Sequence, residues 1–480
     1  MRLIKIAAMK GISASLAGLL LACLLLAPAV QAQQGRGQST ADSAGAEVVQ
    51  HTLSVYLDPF NSYIEVTDQL QFPESWRGNN NLSFSLNANL RIISSSLQID
   101  RLGAGGGNFV PSTSSTAASS NQSQVSLPGN WNGELEIEYA GVINDQAEQS
   151  GAEYAQSFSE TSGIISEQGV FLSHASAWIP GFGDSLLSFS LATRFSEAAS
   201  SWSAMSQGSA AEPPGGSDEA VQSLWVETSP QEEIYLIAND FEIYRQQLGD
   251  IEALAYLRSA DSNLATQYLD ATARYLALYE PLLGDYPYDK FALVENFWET
   301  GYGMPSFTLL GPRVIRFPFI LTTSYPHEIL HNWWGNGVYP DYQTGNWSEG
   351  LTAYLADHLF REIDGRGGEY RKDMLARYKN YVAEDSDFPL TEFTSRNSAA
   401  TQAVGYGKTL MLWHMLRVEL GDELFLQGLR RFYNDYLYQR ASWDDIEAIF
   451  SDISGSDLSA FFSQWTERSG APELSVTVDE

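Results

Sequence analysis

His327 and His331 stand four residues apart, with Glu328 beside the first of them. On an α-helix, positions four apart share a face, so both imidazoles can point at one metal ion. The neighbouring carboxylate then reaches a water on that ion. Two imidazoles and an acid in this spacing suit the ligands and general base of a hydrolytic Zn²⁺ site. The surrounding stretch, Ser324-Tyr-Pro-His-Glu-Ile-Leu-His-Asn-Trp-Trp-Gly335, reads as helix. Thr323 and Ser324 can cap it, Pro326 fits a first turn, and Gly335-Asn-Gly337 stops it.

A catalytic zinc keeps three protein ligands and one open position. Asn346-Trp-Ser-Glu-Gly350 offers Glu349 as the third ligand. Ser348 can cap a helix there, Glu349 falls in its first turn, and Leu351, Leu355 and Leu359 make a buried stripe. Alone, such a glutamate is explained by the helix dipole; the histidine pair is what makes it a ligand. Two antiparallel helices joined by the loop 335–345 would bring Glu349 against the histidines. His358 and His414 sit in apolar helical patterns and read as core, and His174 is isolated, so none of the three joins the metal set.

The elements that must position this site fall in two parts. Residues 51–57, 63–67, 90–94, 135–139, 187–192 and 234–237 alternate apolar and polar side chains at period two, as strands do. Gly, Asn and Ser turns join them, which predicts an antiparallel sandwich or open barrel over 46–247. Residues 103–124 and 198–219 are low in complexity and read as loops. From about Ile251 the period becomes helical, with a tyrosine-rich face at Tyr268, Tyr275 and Tyr279 that reads as core. A short extended piece, 291–295, precedes the metal helix. Helical patterns recur over 349–360, 370–382, 407–420, 423–436, 443–450 and 458–465. The class is α+β: a β domain, then a mostly helical catalytic part over 248–480.

The 480 residues are 44% hydrophobic and 12% aromatic, a globular composition long enough for two or three domains. A net charge of -32 argues against nucleic acid and anionic membranes as partners. Arg2, Lys5 and Lys10, the apolar run 12–30 and Val30-Gln-Ala32 form an export signal over 1–32, followed by a flexible linker over 33–45. The expected location is periplasmic or secreted, with no membrane span after cleavage; a retained segment would leave an anchor. Cys23 is the only cysteine and lies inside that signal, so the cleaved chain has neither disulfides nor cysteine-ligated metal.

His-Glu-Ile-Leu-His-Asn-Trp-Trp-Gly-Asn336, Asn-Trp-Ser-Glu-Gly350, Val404-Gly-Tyr-Gly-Lys-Thr409 and Tyr286-Pro-Tyr-Asp-Lys290 together resemble the aminopeptidase N-like zinc metallopeptidases of the gluzincin group. Trp178-Ile-Pro180 and Leu416-Arg-Val-Glu-Leu-Gly-Asp-Glu-Leu-Phe425 fit as well. The resemblance implies a thermolysin-like catalytic domain behind an N-terminal β domain. It implies one Zn²⁺ on His327, His331 and Glu349, water activated by Glu328, and an oxyanion donor at Tyr406. The implied substrate is a peptide or protein.

Three departures qualify this. Asn332 to Ser348 is seventeen residues, one short of the family's usual spacing, in a loop that absorbs deletions. Tyr302-Gly-Met-Pro-Ser306 carries Pro305 where the family has the glutamate that holds a substrate's α-amine; Glu295 and Glu299 are the candidates to replace it. The C-terminal helical lobe of many members has no counterpart, and a strand is expected at Pro472-Glu-Leu-Ser-Val-Thr-Val478. A site without that lobe is expected to be more open. The expectation is therefore an exported peptidase of aminopeptidase type, with two alternatives: an endopeptidase with an open cleft, or a weakly catalytic peptide-binding protein.

Overall fold

The computed structural model describes residues 47–104, 118–149, 159–212, 221–383 and 385–470. The export segment, the linker and the strand expected at 472–478 lie outside them.

The alternating segments form strands as their period requires. In Val48–Asp58, Val49, His51, Leu53, Val55 and Leu57 all turn inward. This strand is central in a seven-stranded sheet ordered Ser209–Ala210, Ser223–Gln231, Leu186–Phe195, Val48–Asp58, Tyr63–Gln71, Glu134–Val142 and Leu90–Ser95. One pair departs from the antiparallel expectation: Val48–Asp58 runs parallel to Leu186–Phe195. A parallel pair needs a long crossover, and the chain between these two strands provides it.

Both stretches expected to be loops contain strands. Ile99–Ala104 pairs with Ser120–Ser126, and Ser203–Met205 and Ser209–Ala210 pair with neighbouring strands. Their Ser-, Asn- and Gln-rich side chains hid a ladder that backbone groups alone make.

The expected switch to helix at Ile251 is also corrected. Ile251–Leu257 is the second strand of a five-stranded sheet ordered Glu242–Leu248, Ile251–Leu257, Lys290–Glu295, Phe307–Leu310 and Gly301–Met304. Ile251, Ala253, Ala255, Leu257, Phe291 and Leu293 face the helical core. Leu254, Tyr256, Ala292, Val294, Phe307 and Leu309 face the core of the β domain. A strand buried on both faces has no polar alternation, so its period is lost. This shared sheet joins the two parts, and Gly301–Met304 is its edge.

The helical part begins with Ser262–Leu283, capped by Asp261, whose carboxylate accepts from the Leu264 amide. Its tyrosines are core, as expected: Tyr268 and Tyr275 donate to the Ile315 and Leu321 carbonyls at 2.8 and 2.6 Å. Ser324–Leu330, 348–363, Gly367–Tyr381, 399–436, Trp443–Ser454 and Ser459–Thr466 follow. Gly421 breaks 399–436 at φ 78°, separating the two helices that the sequence pattern predicts. Among the described residues, no helix is long and apolar enough to cross a membrane.

Candidate metal centre

The helix Ser324–Leu330 carries His327 and Glu328, and His331 caps its C-terminal end with helical backbone angles. Ile329, Leu330, Trp333 and Trp334 are fully buried and anchor the helix in the core. Asn332 fastens it to the five-stranded sheet. Its side-chain oxygen accepts from the Ser306 amide at 2.7 Å, while its nitrogen donates to the Ile329 carbonyl at 2.9 Å. Ser306 takes φ 65° at the turn after the edge strand, and Lys290 Nζ donates to its Oγ at 2.6 Å.

Glu349 lies in the first turn of Ser348–Ala353. Ser348 is not the cap expected from sequence. It is the first helical residue, and the Asn346 side chain accepts from its amide at 3.1 Å and its hydroxyl at 2.7 Å. Gly350 must lack a side chain, because a Cβ there would stand 2.2 Å from Thr409, at the start of the helix that follows Tyr406. Close packing of these helices brings Glu349 to the histidines.

The two Nε2 atoms are 3.2 Å apart, and Glu349 Oε2 is 3.6 Å from that of His327 and 3.5 Å from that of His331. A tetrahedral ion with ligands at about 2.0–2.2 Å has donor-to-donor edges of about 3.3–3.6 Å. Each outer Nδ1 is occupied, that of His327 by Asp357 Oδ2 at 3.1 Å and that of His331 by the Trp334 carbonyl at 2.9 Å. Those contacts turn both Nε2 atoms inward. Glu349 Oε2 is buried without a hydrogen-bond partner. Among the described residues, no other group of three or more such ligands converges as closely.

The field of the site also suits a cation. Burial alone would lower the His327 pKa, but Asp357 and Glu349 hold it well above the usual imidazole range. His331 is raised against the same effect of burial, chiefly by Glu349. Burial would raise Glu349, but the two histidines outweigh it and hold the carboxyl well below its ordinary value. An environment that stabilises positive imidazoles stabilises a metal ion in their place. The residues fit the group they were expected to hold.

Around this triangle stand three further groups. Burial raises the Glu328 carboxyl, opposed by both histidines. Gly303, on the edge strand, leaves room for it: a Cβ there would lie 2.6 Å from Glu328 Oε2. The Tyr406 ring lies parallel to that of His327, with centres 6.5 Å apart. Desolvation and then the Glu349 charge push its phenol well above the ordinary value, so it keeps its proton. The Arg396 guanidinium sits over the Tyr406 ring at 5.7 Å.

Pro305 is buried at the turn after the edge strand, and neither candidate replacement for the missing glutamate is available. Glu295 is held by Arg316 at 2.6 Å and accepts from the Arg258 amide at 2.9 Å. Glu299 is held by Arg313 at 2.8 Å. His358 and His414 lie outside the triangle as expected. His358 accepts from Arg371 at 2.7 Å, and His414 meets the Tyr354 hydroxyl at 3.2 Å.

Sequence reasoning missed Asp357, Gly303 and Arg396. On a regular helix, eight residues at 100° each leave Asp357 about 80° round from Glu349. A π turn at Tyr354–His358 absorbs one extra residue, and so reduces that offset to about 20°. A second π turn, Ala403–Lys408, carries Tyr406. No spacing rule announces either turn. Gly303 is an ordinary strand glycine until the strand is seen to run beside Glu328.

Residues 322–465 match the model of the peptidase family M1 domain. Over 271 residues the chain is 26% identical to the alanine/arginine aminopeptidase of Saccharomyces cerevisiae, covering 52% of this chain and 32% of that protein. Over 163 residues it is 26% identical to aminopeptidase N of Lactococcus lactis, covering 32% of this chain and 19% of that one. The chain thus spans about a third or less of the length of these relatives. In fold it is similar to the M1 zinc metallopeptidase of Deinococcus radiodurans, with a TM-score of 0.64 at 17% identity over 90% of this chain and 97% of that one. A two-domain M1 zinc metallopeptidase bound to L-arginine superimposes with a TM-score of 0.66 at 16% identity, covering 89% of this chain and 96% of that one. With its β domain, its triangle of His327, His331 and Glu349 that could hold a metal, and its match to the peptidase family M1 domain over 322–465, the chain is similar to aminopeptidase N-like zinc metallopeptidases in sequence and fold.

Proposed function

We propose that this protein is an exported, zinc-dependent peptidase that hydrolyses peptide bonds in the manner of an aminopeptidase. The observation that carries the reading is the inward-facing triangle of His327, His331 and Glu349, with an unpartnered Glu349 Oε2 and Glu328 alongside. Export rests on the segment 1–32, and the domain division proposed at 247/248 falls within the strand Glu242–Leu248 of the shared sheet.

Zn²⁺, held by His327, His331 and Glu349, would supply Lewis acidity toward the scissile carbonyl and the attacking water. The remaining work belongs to the chain. Glu328, with its proton affinity raised by burial, takes a proton from the water and delivers it to the leaving amine. Tyr406 keeps its proton and donates a hydrogen bond as the carbonyl oxygen becomes negative. Among the described residues the edge strand Gly301–Met304 has one sheet neighbour, so its other side is suited to pairing with an extended peptide beside Glu328.

An endopeptidase is the second reading. Pro305, which has no charge, and the arginine-held carboxylates of Glu295 and Glu299 support it, because all three are poorly suited to hold a free α-amine. The test is to incubate the purified protein with free and N-acetylated peptides and identify the products by mass spectrometry, with Glu328→Gln as control. Single residues released only from free N-termini support the aminopeptidase. Cleavage of blocked peptides supports the endopeptidase, and no cleavage by either protein refutes both.

A further inference from the structure

Lys290 closes the Tyr286-Pro-Tyr-Asp-Lys290 motif and takes no part in the steps assigned to Glu328 and Tyr406. Its side chain is buried where the β domain meets the shared sheet. Nζ lies 5.0 Å from the centre of the Trp225 ring, on a strand of the β domain, and 5.8 Å from that of Phe307 in the shared sheet. Burial lowers its pKa to about 7, against the charges of Glu227, Glu252 and Asp289, which raise it. An amine kept in such a place needs acceptors. Ser306 supplies them: Nζ donates to its hydroxyl at 2.6 Å and to its carbonyl at 3.5 Å.

Ser306 follows Pro305 at the turn after the edge strand, with φ 65°, a conformation that a residue other than glycine keeps only when its surroundings hold it. Its amide donates to Asn332 Oδ1 at 2.7 Å, and Asn332 Nδ2 reaches the Glu328 carbonyl at 3.4 Å. Tyr286, at the other end of the motif, braces the same junction. Its hydroxyl meets the Lys290 carbonyl at 2.9 Å and Asn332 Oδ1 at 3.3 Å. A continuous line of contacts thus runs from Lys290 through the turn to the helix that carries the base. We propose that Lys290 is a positioning residue: by holding Ser306, it fixes the edge strand Gly301–Met304 against Glu328. The clearance there is small, since one methyl on Gly303 would already meet the Glu328 carboxylate. A slip of about 1 Å between base and strand can cost about a hundredfold in rate.

This inference rests on the peptidase reading, so its test has one arm with turnover and one without. The first arm measures kcat and zinc content in Lys290→Met, in Ser306→Gly and in the double variant. Glycine at 306 keeps the left-handed turn accessible while removing the hydroxyl, so it breaks the contact even if Lys290→Met does not fold. Each single variant should lose about tenfold or more in kcat at full zinc occupancy, the scale of a lost charged hydrogen bond. The double variant should lose no more than the larger single loss, because both changes remove one contact. The second arm follows hydrogen exchange by mass spectrometry over 301–306 and over the strand Ile251–Leu257 of the same sheet. Exchange in the variants should be about tenfold or more faster at 301–306 and unchanged in Ile251–Leu257, whereas a merely structural lysine would loosen both. If exchange changes in this way and no protein cleaves peptides, the peptidase reading fails and the hold of Lys290 on the strand stands. Full kcat in either single variant, losses that multiply in the double, or exchange that rises in both segments or in neither overturns the proposal.

Discussion

Asp357 Oδ2 lies 3.1 Å from His327 Nδ1, on the helical run that also carries Glu349. One run of chain therefore carries both a proposed ligand, Glu349, and the group that would orient another, His327. Losing such a partner costs about 10- to 100-fold in metal affinity. Asp357→Ala should weaken Zn²⁺ by that amount in a chelator competition titration, with the fold retained by circular dichroism. Unchanged affinity would show that Asp357 does not orient His327.

Gly303 tests how tightly the edge strand shapes the site. A methyl at this position would stand 2.6 Å from Glu328 Oε2 and 3.2 Å from His331 Cδ2. Displacing the base by about 1 Å can cost about a hundredfold in rate. Gly303→Ala should lower kcat to that extent while zinc content by atomic absorption stays near one per chain. Full activity would mean that Glu328 has freedom to move away.

Glu328 and Tyr406 should separate in kinetics from Glu349. Glu328→Gln should keep zinc and lose about 10²–10⁴ in kcat. Tyr406→Phe should lose about 10²–10³ in kcat with little change in KM. Glu349→Ala should lose the metal itself, read as zinc content after dialysis. A fully loaded Glu349→Ala protein would remove Glu349 from the ligand set.

His358 and His414 predict an acid sensitivity away from the metal. Burial lowers both to about 4, and nearby Arg371 and Arg417 act in the same direction. Their folded pKa values thus lie below the unfolded value of 6.5. Between pH 6.5 and 4 the unfolded chain binds more protons, so stability falls as pH drops through that window. Urea midpoints across it should decline in the wild type and decline less in His414→Phe. Parallel profiles would assign the acid sensitivity to other groups.

Much of the site was legible in the sequence because its spacings act within one helix or from one helix to the next. His327 and His331 share a face by helical geometry alone, and the Asn-Trp-Ser-Glu-Gly motif marks Glu349 through its helix start. The period-two segments likewise announced the β domain, since strands such as Val48–Asp58, Tyr63–Gln71 and Leu186–Phe195 bury one face. Ile251–Leu257 was misread because a strand covered on both sides carries no alternation. The Asn346 side chain accepts from the amide of Ser348, the first residue of the Glu349 helix, and Ser348 does not cap it, because such contacts depend on side-chain direction, which packing decides.

What the sequence alone determined is therefore the donor set and its order along the chain: two histidines, the acid between them, and the later glutamate. The tertiary structure decided which other residues meet them. A π turn rotated Asp357 toward His327, an edge strand brought Gly303 against Glu328, and the segment 394–398 set Arg396 over Tyr406. It also engaged Glu295 and Glu299 with arginines, which withdrew them from the role their position in the sequence suggested. The physical reason is range. Helical spacing is a local property of the backbone, whereas contacts between distant segments depend on the packing that orients each side chain.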